Sequence, residues 1–359
     1  MKKTLAFVLT LALMAAMMAG CAGTTVVVGN CTCPTGSHDA VIAETAAPEE
    51  TAAAGALKTG LAIVASAGES TSADAENEGK AKYDVTIVAV TVDENGVIRS
   101  CIVDGVPAAV SFDASGAITS DITAEIQTKN ELGEAYGMKA YGGAKYEWNE
   151  QVAALADYAV GKTVEELRSG AVNEAGRAAD ADLASTATIY IGGYVSAIEA
   201  AVANAKDLGA QAGDELKLAS ISSVAKSTGA DGENAGTAQL DCDVTAMTMN
   251  GDTITSCYID SLQAKVNFDA AGTITTDLTA PLQTKNELGE NYGMKAWGGA
   301  SFEWNEQAAS FAAYVTGKTA AEVAGIAVTE TTVPTEADLA SSVTIAIGGF
   351  QALIAKAAR

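Results

Sequence analysis

The chain repeats itself over a long interval, and that repeat limits the folds open to it. Gln127-Thr128-Lys129-Asn130-Glu131-Leu132-Gly133-Glu134 returns unchanged as Gln283-Thr284-Lys285-Asn286-Glu287-Leu288-Gly289-Glu290. Tyr136-Gly137-Met138-Lys139-Ala140 returns 156 residues later as Tyr292-Gly293-Met294-Lys295-Ala296, and Glu147-Trp148-Asn149-Glu150-Gln151 as Glu303-Trp304-Asn305-Glu306-Gln307. Upstream, Ser70-Thr71 matches Ser227-Thr228 at a spacing of 157. The one-residue change falls where Asp93-Glu94-Asn95-Gly96 faces the shorter Asn250-Gly251-Asp252. This reads as a surface turn, where an insertion breaks no buried hydrogen bond. A period this long lies outside the range of solenoid repeats. The chain therefore reads as two duplicated domains, residues 58–206 and 214–359, joined by a short stretch from Gly209 to Gly213.

Within a copy, residues 83–92 alternate apolar faces and are rich in β-branched side chains, the pattern of a strand. Residues 97–103 return as a second strand, and 106–112 form a third that Pro107 places at an edge. The turn Asp113-Ala114-Ser115-Gly116 leads to a fourth strand starting near Ala117. Residues 147–160 place Trp148, Val152, Leu155 and Ala159 at helical spacing. Thr163-Val164-Glu165-Glu166, kept as Thr319-Ala320-Ala321-Glu322, opens a second helix with a reciprocal cap. A last strand over 186–191 and a helix over 194–205 close the copy. Strands followed by helices predict an α+β domain, an antiparallel sheet packed with helices, present twice.

The N-terminus reads as a targeting segment. Lys2 and Lys3 precede an apolar run over 5–18, and Ala19-Gly20 lead directly into Cys21. Met18-Ala19-Gly20-Cys21 resembles the bacterial lipobox, in which the cysteine thiol takes up a diacylglyceryl group. The resemblance implies a signal peptide over 1–20, lipidation at Cys21 and a chain held on the extracytoplasmic face of the cell envelope. A plain signal peptide with an incidental cysteine is the alternative. Acyl chains contribute roughly 0.8 kcal/mol per buried CH₂, so a multiply acylated end would hold the protein to a membrane. Residues 21–57, rich in Ala, Thr, Gly and Glu, read as a disordered linker.

Twenty-one basic against 45 acidic residues give a net charge of −24, with no electrostatic footprint for nucleic acid. Six cysteines at unequal spacing, one of them assigned to lipidation, make no disulfide framework. Cys31, Cys33 and His38 lack four-ligand metal spacing and read as incidental. His38 is the one histidine of the chain, which removes Ser-His-Asp, Cys-His and His-rich zinc chemistry from the folded part. No pair of carboxylates stands out as a hydrolase site, so a carrier or binding protein is expected in preference to a catalyst.

The end of each copy carries the most specific signal. Asp182-Leu183-Ala184-Ser185-Thr186-Ala187-Thr188 has the spacing of Asp-x-x-Ser/Thr-Gly-Ala-Thr, and Asp338-Leu339-Ala340-Ser341-Ser342-Val343-Thr344 repeats it. This resembles the modification site of the FMN-binding domain family, known from flavin-carrying subunits of sodium-pumping NADH:quinone reductase and from extracellular electron-transfer lipoproteins. In that family the last threonine is esterified to the FMN phosphate by a dedicated flavin transferase. The resemblance implies Thr188 and Thr344 as acceptors, Asp182 and Asp338 as accompanying acids, FMN as cofactor, and redox proteins and a flavin transferase as partners. Thr186 and Ser342 stand at the motif's glycine, and Val343 at its alanine. An ordinary strand rich in Thr, Ile and Val is the other reading of the same residues.

Gly192-Gly193 and Gly348-Gly349, just before the last helix of each copy, either receive a phosphate or only permit a tight turn. The nearly unchanged segment 127–143 and its counterpart form the second candidate surface. Lys129, Lys285 and Lys139 offer charge to a phosphate. Met138, Met294, Tyr141 and Trp297 offer faces to a flat ring. A surface lipoprotein carrying FMN for electron transfer is one expectation. A non-enzymatic envelope protein that binds a ligand or partner through these loops is another, and a structural envelope protein with self-satisfied loops is a third.

Overall fold

The computed structural model describes residues 55–359. The expected signal peptide, Cys21, Cys31, Cys33, His38 and nearly all of the expected linker lie outside the described residues. No helix among the described residues is long and apolar enough to cross a membrane.

Each copy is an antiparallel three-stranded sheet with helices on one face, an α+β arrangement. In the first copy β1 (Lys58–Ser66), β2 (Gly79–Val92) and β3 (Ile98–Phe112) lie in that order, and in the second β4 (Glu215–Ser223), β5 (Gly236–Asn250) and β6 (Thr253–Phe268) do the same. The β2–β3 hairpin turns at Asp93, whose Oδ1 accepts the N–H groups of Asn95 and Val97. The second copy turns more tightly, pairing Asn250 with Thr253.

The first copy continues with short helices α1 (Lys129–Leu132) and α2 (Met138–Gly142), then α3 (Trp148–Ala159), α4 (Val164–Ala171), α5 (Ala181–Thr186) and α6 (Gly192–Ala203). The second has α7 (Lys285–Leu288), α8 (Trp304–Val315), α9 (Ala320–Ala324), α10 (Ala337–Ala340) and α11 (Gly348–Ala357). The expected caps are present: Thr163 and Glu166 satisfy each other's backbone N–H groups, as do Thr319 and Glu322.

Both faces of each sheet are covered, which explains the nearly unbroken apolar run in β2. Val88, Val90 and Val92 point to the helices and meet Trp148, Val152, Leu155, Ile191 and Ile198. Val85, Ile87 and Ala89 point the other way into a core shared with Leu240, Val244, Ala246 and Leu262 of the second copy. The layers are therefore helix, sheet, sheet, helix, and one apolar core serves both copies.

The seam between the sheets is reciprocal. Phe112 and Phe268, equivalent residues, stack with ring centroids 3.9 Å apart and planes 2° from parallel. Gly79 lies under the Phe112 ring and Gly236 under the Phe268 ring, where a Cβ would sit 2.3 Å and 2.2 Å from a ring carbon. Only glycine permits that approach. The Ala73 N–H donates to Gly272 O at 2.8 Å, and its counterpart Ala230 donates to Gly116 O at 2.8 Å. Residue i of one copy meeting residue j of the other, and j meeting i, is the signature of a two-fold interface. Off this axis, the Tyr83 hydroxyl donates to Ala238 O at 2.7 Å, and the Thr59 and Ser256 hydroxyls share a bond of 2.6 Å.

Several expectations need correction. Strand β1 precedes the strands expected from residue 83 onward. β3 runs unbroken through Pro107, which pairs with Asp84, where two strands were expected. The fourth strand near Ala117 is a single bridge between Phe112 and Ile118. The Ser120 hydroxyl there takes the Ser111 N–H at 3.0 Å, replacing a ladder bond. The last strand over 186–191 is absent: Thr186 ends α5, and no sheet edge lies beside the residues that follow. Finally, Leu57 at the end of the expected linker is buried and donates its N–H to Ala210 O.

Candidate functional site

The two segments marked by the sequence meet through one side chain. Gln151 lies fully buried on α3, and its Oε1 accepts the Thr188 N–H at 2.8 Å, the Thr188 hydroxyl at 3.0 Å and the Ile189 N–H at 3.1 Å. Its Nε2 donates to Tyr146 O at 3.0 Å. Gln307 repeats the set with Thr344 N–H at 2.8 Å, the Thr344 hydroxyl at 3.1 Å, Ile345 N–H at 3.2 Å and Phe302 O at 3.0 Å. The β-branched run thus finds its backbone partners on a glutamine, which is why it needs no neighbouring strand.

One turn earlier, buried Glu147 caps α3 and receives the Met138 N–H on Oε2 at 2.8 Å and the Lys139 N–H on Oε1 at 3.1 Å. A carboxylate at the first amides of α2 satisfies donors that a helix start leaves unpaired. Glu303 holds Met294 and Lys295 in the same way. Residues 147–151 therefore tie the Gly-rich loop to the threonine turn in each copy. The one sign of Gln151 in the sequence is a glutamine kept in both copies on the apolar stripe of a helix.

Much of the retained polar segment is satisfied internally. Thr128 and Glu131 cap α1 reciprocally, and the Asn130 amide donates to Val103 O at 2.9 Å. Asp104 Oδ1 receives the N–H groups of Gly105 and Asn130, as Asp260 receives those of Ser261 and Asn286. Burial pushes the Asp260 carboxyl up to about 6 and moves Asp104 in the same direction. The Lys129 ammonium stands 4.9 Å from the centre of the Trp148 ring and 5.2 Å from that of Tyr136. Lys285 sits over Trp304 and Tyr292 at 4.7 Å and 5.3 Å. Both lysines are thus engaged with aromatic faces. Met138 and Met294 are half-buried against the helix-side cores.

Two aromatic side chains escape this accounting. Tyr141 is 91% exposed and Trp297 is 83% exposed, at equivalent positions. Each ring lies against a glycine, Gly137 or Gly293, at φ 82° and 83°, where a side chain would strike it.

Thr188 and Thr344 are exposed, and so are Asp182 on α5 and Asp338 on α10. Beside Thr188, Arg177 donates to its carbonyl and lays the guanidinium 4.2 Å from the centre of the Tyr190 ring, itself 65% exposed. Val333 and Ala346 hold the corresponding positions in the second copy. Gly192 and Gly348 are the first residues of the closing helices, two residues earlier than expected in the first copy.

Two hollows lie elsewhere. One of about 570 Å³ lies at the junction of 206–208 with β6 and α8, and one of about 660 Å³ lies between 55–58, the β2–β3 turn and 212–214. Neither Thr188 nor Thr344 lines them. Among the described residues no three His, Cys, Asp or Glu side chains could hold a metal. Cys101, Cys242 and Cys257 are free thiols. No family model, curated protein or solved structure matches the chain.

Proposed function

We propose that the protein is a non-enzymatic carrier of the cell envelope, anchored through Cys21, whose first copy holds a flavin nucleotide at Thr188. The observation that supports this reading is the setting of Thr188: an exposed residue whose hydroxyl donates to Gln151 and whose carbonyl accepts from Arg177, the guanidinium lying over the open Tyr190 ring. A phosphate suits the guanidinium and an isoalloxazine suits the ring. The resemblance of 182–188 to the FMN-binding motif points to the same hydroxyl.

Esterification at Thr188 joins Oγ to the phosphorus of the flavin nucleotide. It releases the hydroxyl proton and displaces AMP from a flavin dinucleotide donor. Gln151 is a neutral amide and cannot take that proton, so the transfer calls for a separate flavin transferase. The two N–H bonds from Thr188 and Ile189 to Gln151 survive the loss of the hydroxyl proton and keep the turn in place. The bound flavin supplies reversible electron uptake, and the chain holds and orients it. Thr344 keeps the turn without the cation or the ring, so the second copy is the weaker acceptor.

Intact-mass and visible-absorbance measurements on protein from its native host test this. A flavin-phosphoryl adduct lost in Thr188→Ala and kept in Thr344→Ala is the expected result. Colourless protein of unmodified mass overturns it.

A second reading, a partner-binding envelope protein, draws on Tyr141 and Trp297. Two open aromatic faces at equivalent positions suit a repetitive partner gripped at both sites. Co-sedimentation with the isolated cell envelope of protein lacking its lipid anchor should fall in the Tyr141→Ala, Trp297→Ala double variant. Unchanged co-sedimentation removes this reading.

A further inference from the structure

The hollow of about 570 Å³ is lined by residues 206–208 at the end of the first copy, by β6 and by α8. Its apolar lining is Ala309, Ala312 and Ala313 of α8 with Leu208 and Ile259. Lys206 stands at the hollow, its ammonium 4.4 Å from the centre of the Tyr258 ring. Among the described residues no carboxylate forms an ion pair with that ammonium. Of the two acids on the wall, Glu306 already accepts the Glu303 N–H at 2.7 Å and pairs with Lys295 at 3.2 Å. Asp207 is exposed.

The first copy differs at this place. Asp157 stands where the second has Ala313, Val160 where it has Thr316, and Ile102 where it has Tyr258. Burial, with the Asp157 carboxylate adding to it, pushes the Cys101 thiol up to about 12. That carboxylate is therefore felt at the equivalent of Cys257. At this place the second copy has Ala313 in place of the Asp157 carboxylate and Tyr258 in place of Ile102, and the Lys206 ammonium lies over the Tyr258 ring. In a chain of net charge −24, a lysine without a carboxylate partner beside an apolar hollow is a selective feature.

We infer that this hollow is a binding site for a small amphipathic monocarboxylate, its carboxylate on Lys206 and its apolar body against Ala309, Ala312, Ala313, Leu208 and Ile259. The site is separate from Thr188, and its test does not depend on flavin.

The probe is 3-phenylpropanoate, titrated into the anchor-free chain by calorimetry, with 3-phenylpropan-1-ol as its uncharged analogue. Saturable binding of the acid and none of the alcohol is expected. Lys206→Gln should weaken binding by about tenfold or more, the worth of one charge-assisted hydrogen bond. Ala313→Phe and Ala309→Phe, both from exposed helix positions, should fill the hollow and abolish binding with the thermal melt unchanged. No saturable binding of the acid overturns the proposal. So does equal binding of the alcohol, undiminished binding by Lys206→Gln, or binding retained in a folded phenylalanine variant.

Discussion

The two copies place Thr188 and Thr344 on the same three hydrogen bonds, to Gln151 and to Gln307, yet surround them differently. Arg177 and Tyr190 flank the first, whereas Val333 and Ala346 stand by the second. The reverse holds at the hollow beside α8, where the second copy has the aromatic ring and the first has the carboxylate. The side chains that join the threonine turn to the Gly-rich loop are the same in both copies, while those flanking Thr188 and the hollow differ. Shared bonds therefore report on folding, and the differences report on what each copy touches.

The strongest way to break this comparison is at the seam. Phe112→Ala and Phe268→Ala should each cost about 3–5 kcal/mol, the range for removing a buried phenylalanine. Because the rings stack on each other, the double variant should cost less than the sum of the two. Urea unfolding of the four proteins measures this, and additive losses would contradict a reciprocal contact.

Gln151→Leu and Gln307→Leu come next. Each leaves two backbone N–H groups and one carbonyl without their partner, at a cost on the order of 2–4 kcal/mol. Equal destabilisation in the two copies is expected, read from thermal melts. A variant that loses stability in one copy only would show that the hub is not shared.

The buried acids give a pH signature. Asp260 holds its proton up to about 6, above the ordinary carboxyl value of 3.8, so the native chain binds more protons than the unfolded chain in that window. Its stabilising contribution is full below that ordinary value and is lost as pH rises through about 6, a change on the order of 1–3 kcal/mol. Asp260→Asn should remove this slope, and Asp104→Asn should remove one of the same sign. Denaturant melts across the window decide it.

The smallest effect lies in the turn that receives the last loop. Gly176 at φ 72° accepts the Ile191 N–H, and Thr332 at φ 61° accepts that of Ile347 in the same way. A β-branched residue in this region is strained, so Thr332→Gly should stabilise by about 0.5–1 kcal/mol. Gly176→Thr should do the opposite, and a differential melt of the two variants checks the pair.

The duplication, the α+β class, the helix at 147–160 and the threonine caps were legible because repeats, periodicity and capping act over short distances. The extended run after Thr186 misled because β-branched residues satisfy a strand pattern whether their N–H groups meet a neighbouring strand or a glutamine side chain. Lys129 read as a phosphate ligand because nothing in its spacing places Trp148 beneath it. Strand β1 is less legible because Gly60 breaks its β-branched pattern and it depends on long-range pairing with β2. Tyr141 and Trp297 were legible as candidate flat faces, and what the sequence could not show is their near-complete exposure among satisfied polar neighbours.

Reciprocity at the Phe112–Phe268 seam has an evolutionary consequence. A single copy, cut free, would bare a self-complementary apolar face, so an isolated 58–206 fragment should associate as a homodimer. Carried on one chain, either half can change its outer surface while both preserve the common interior.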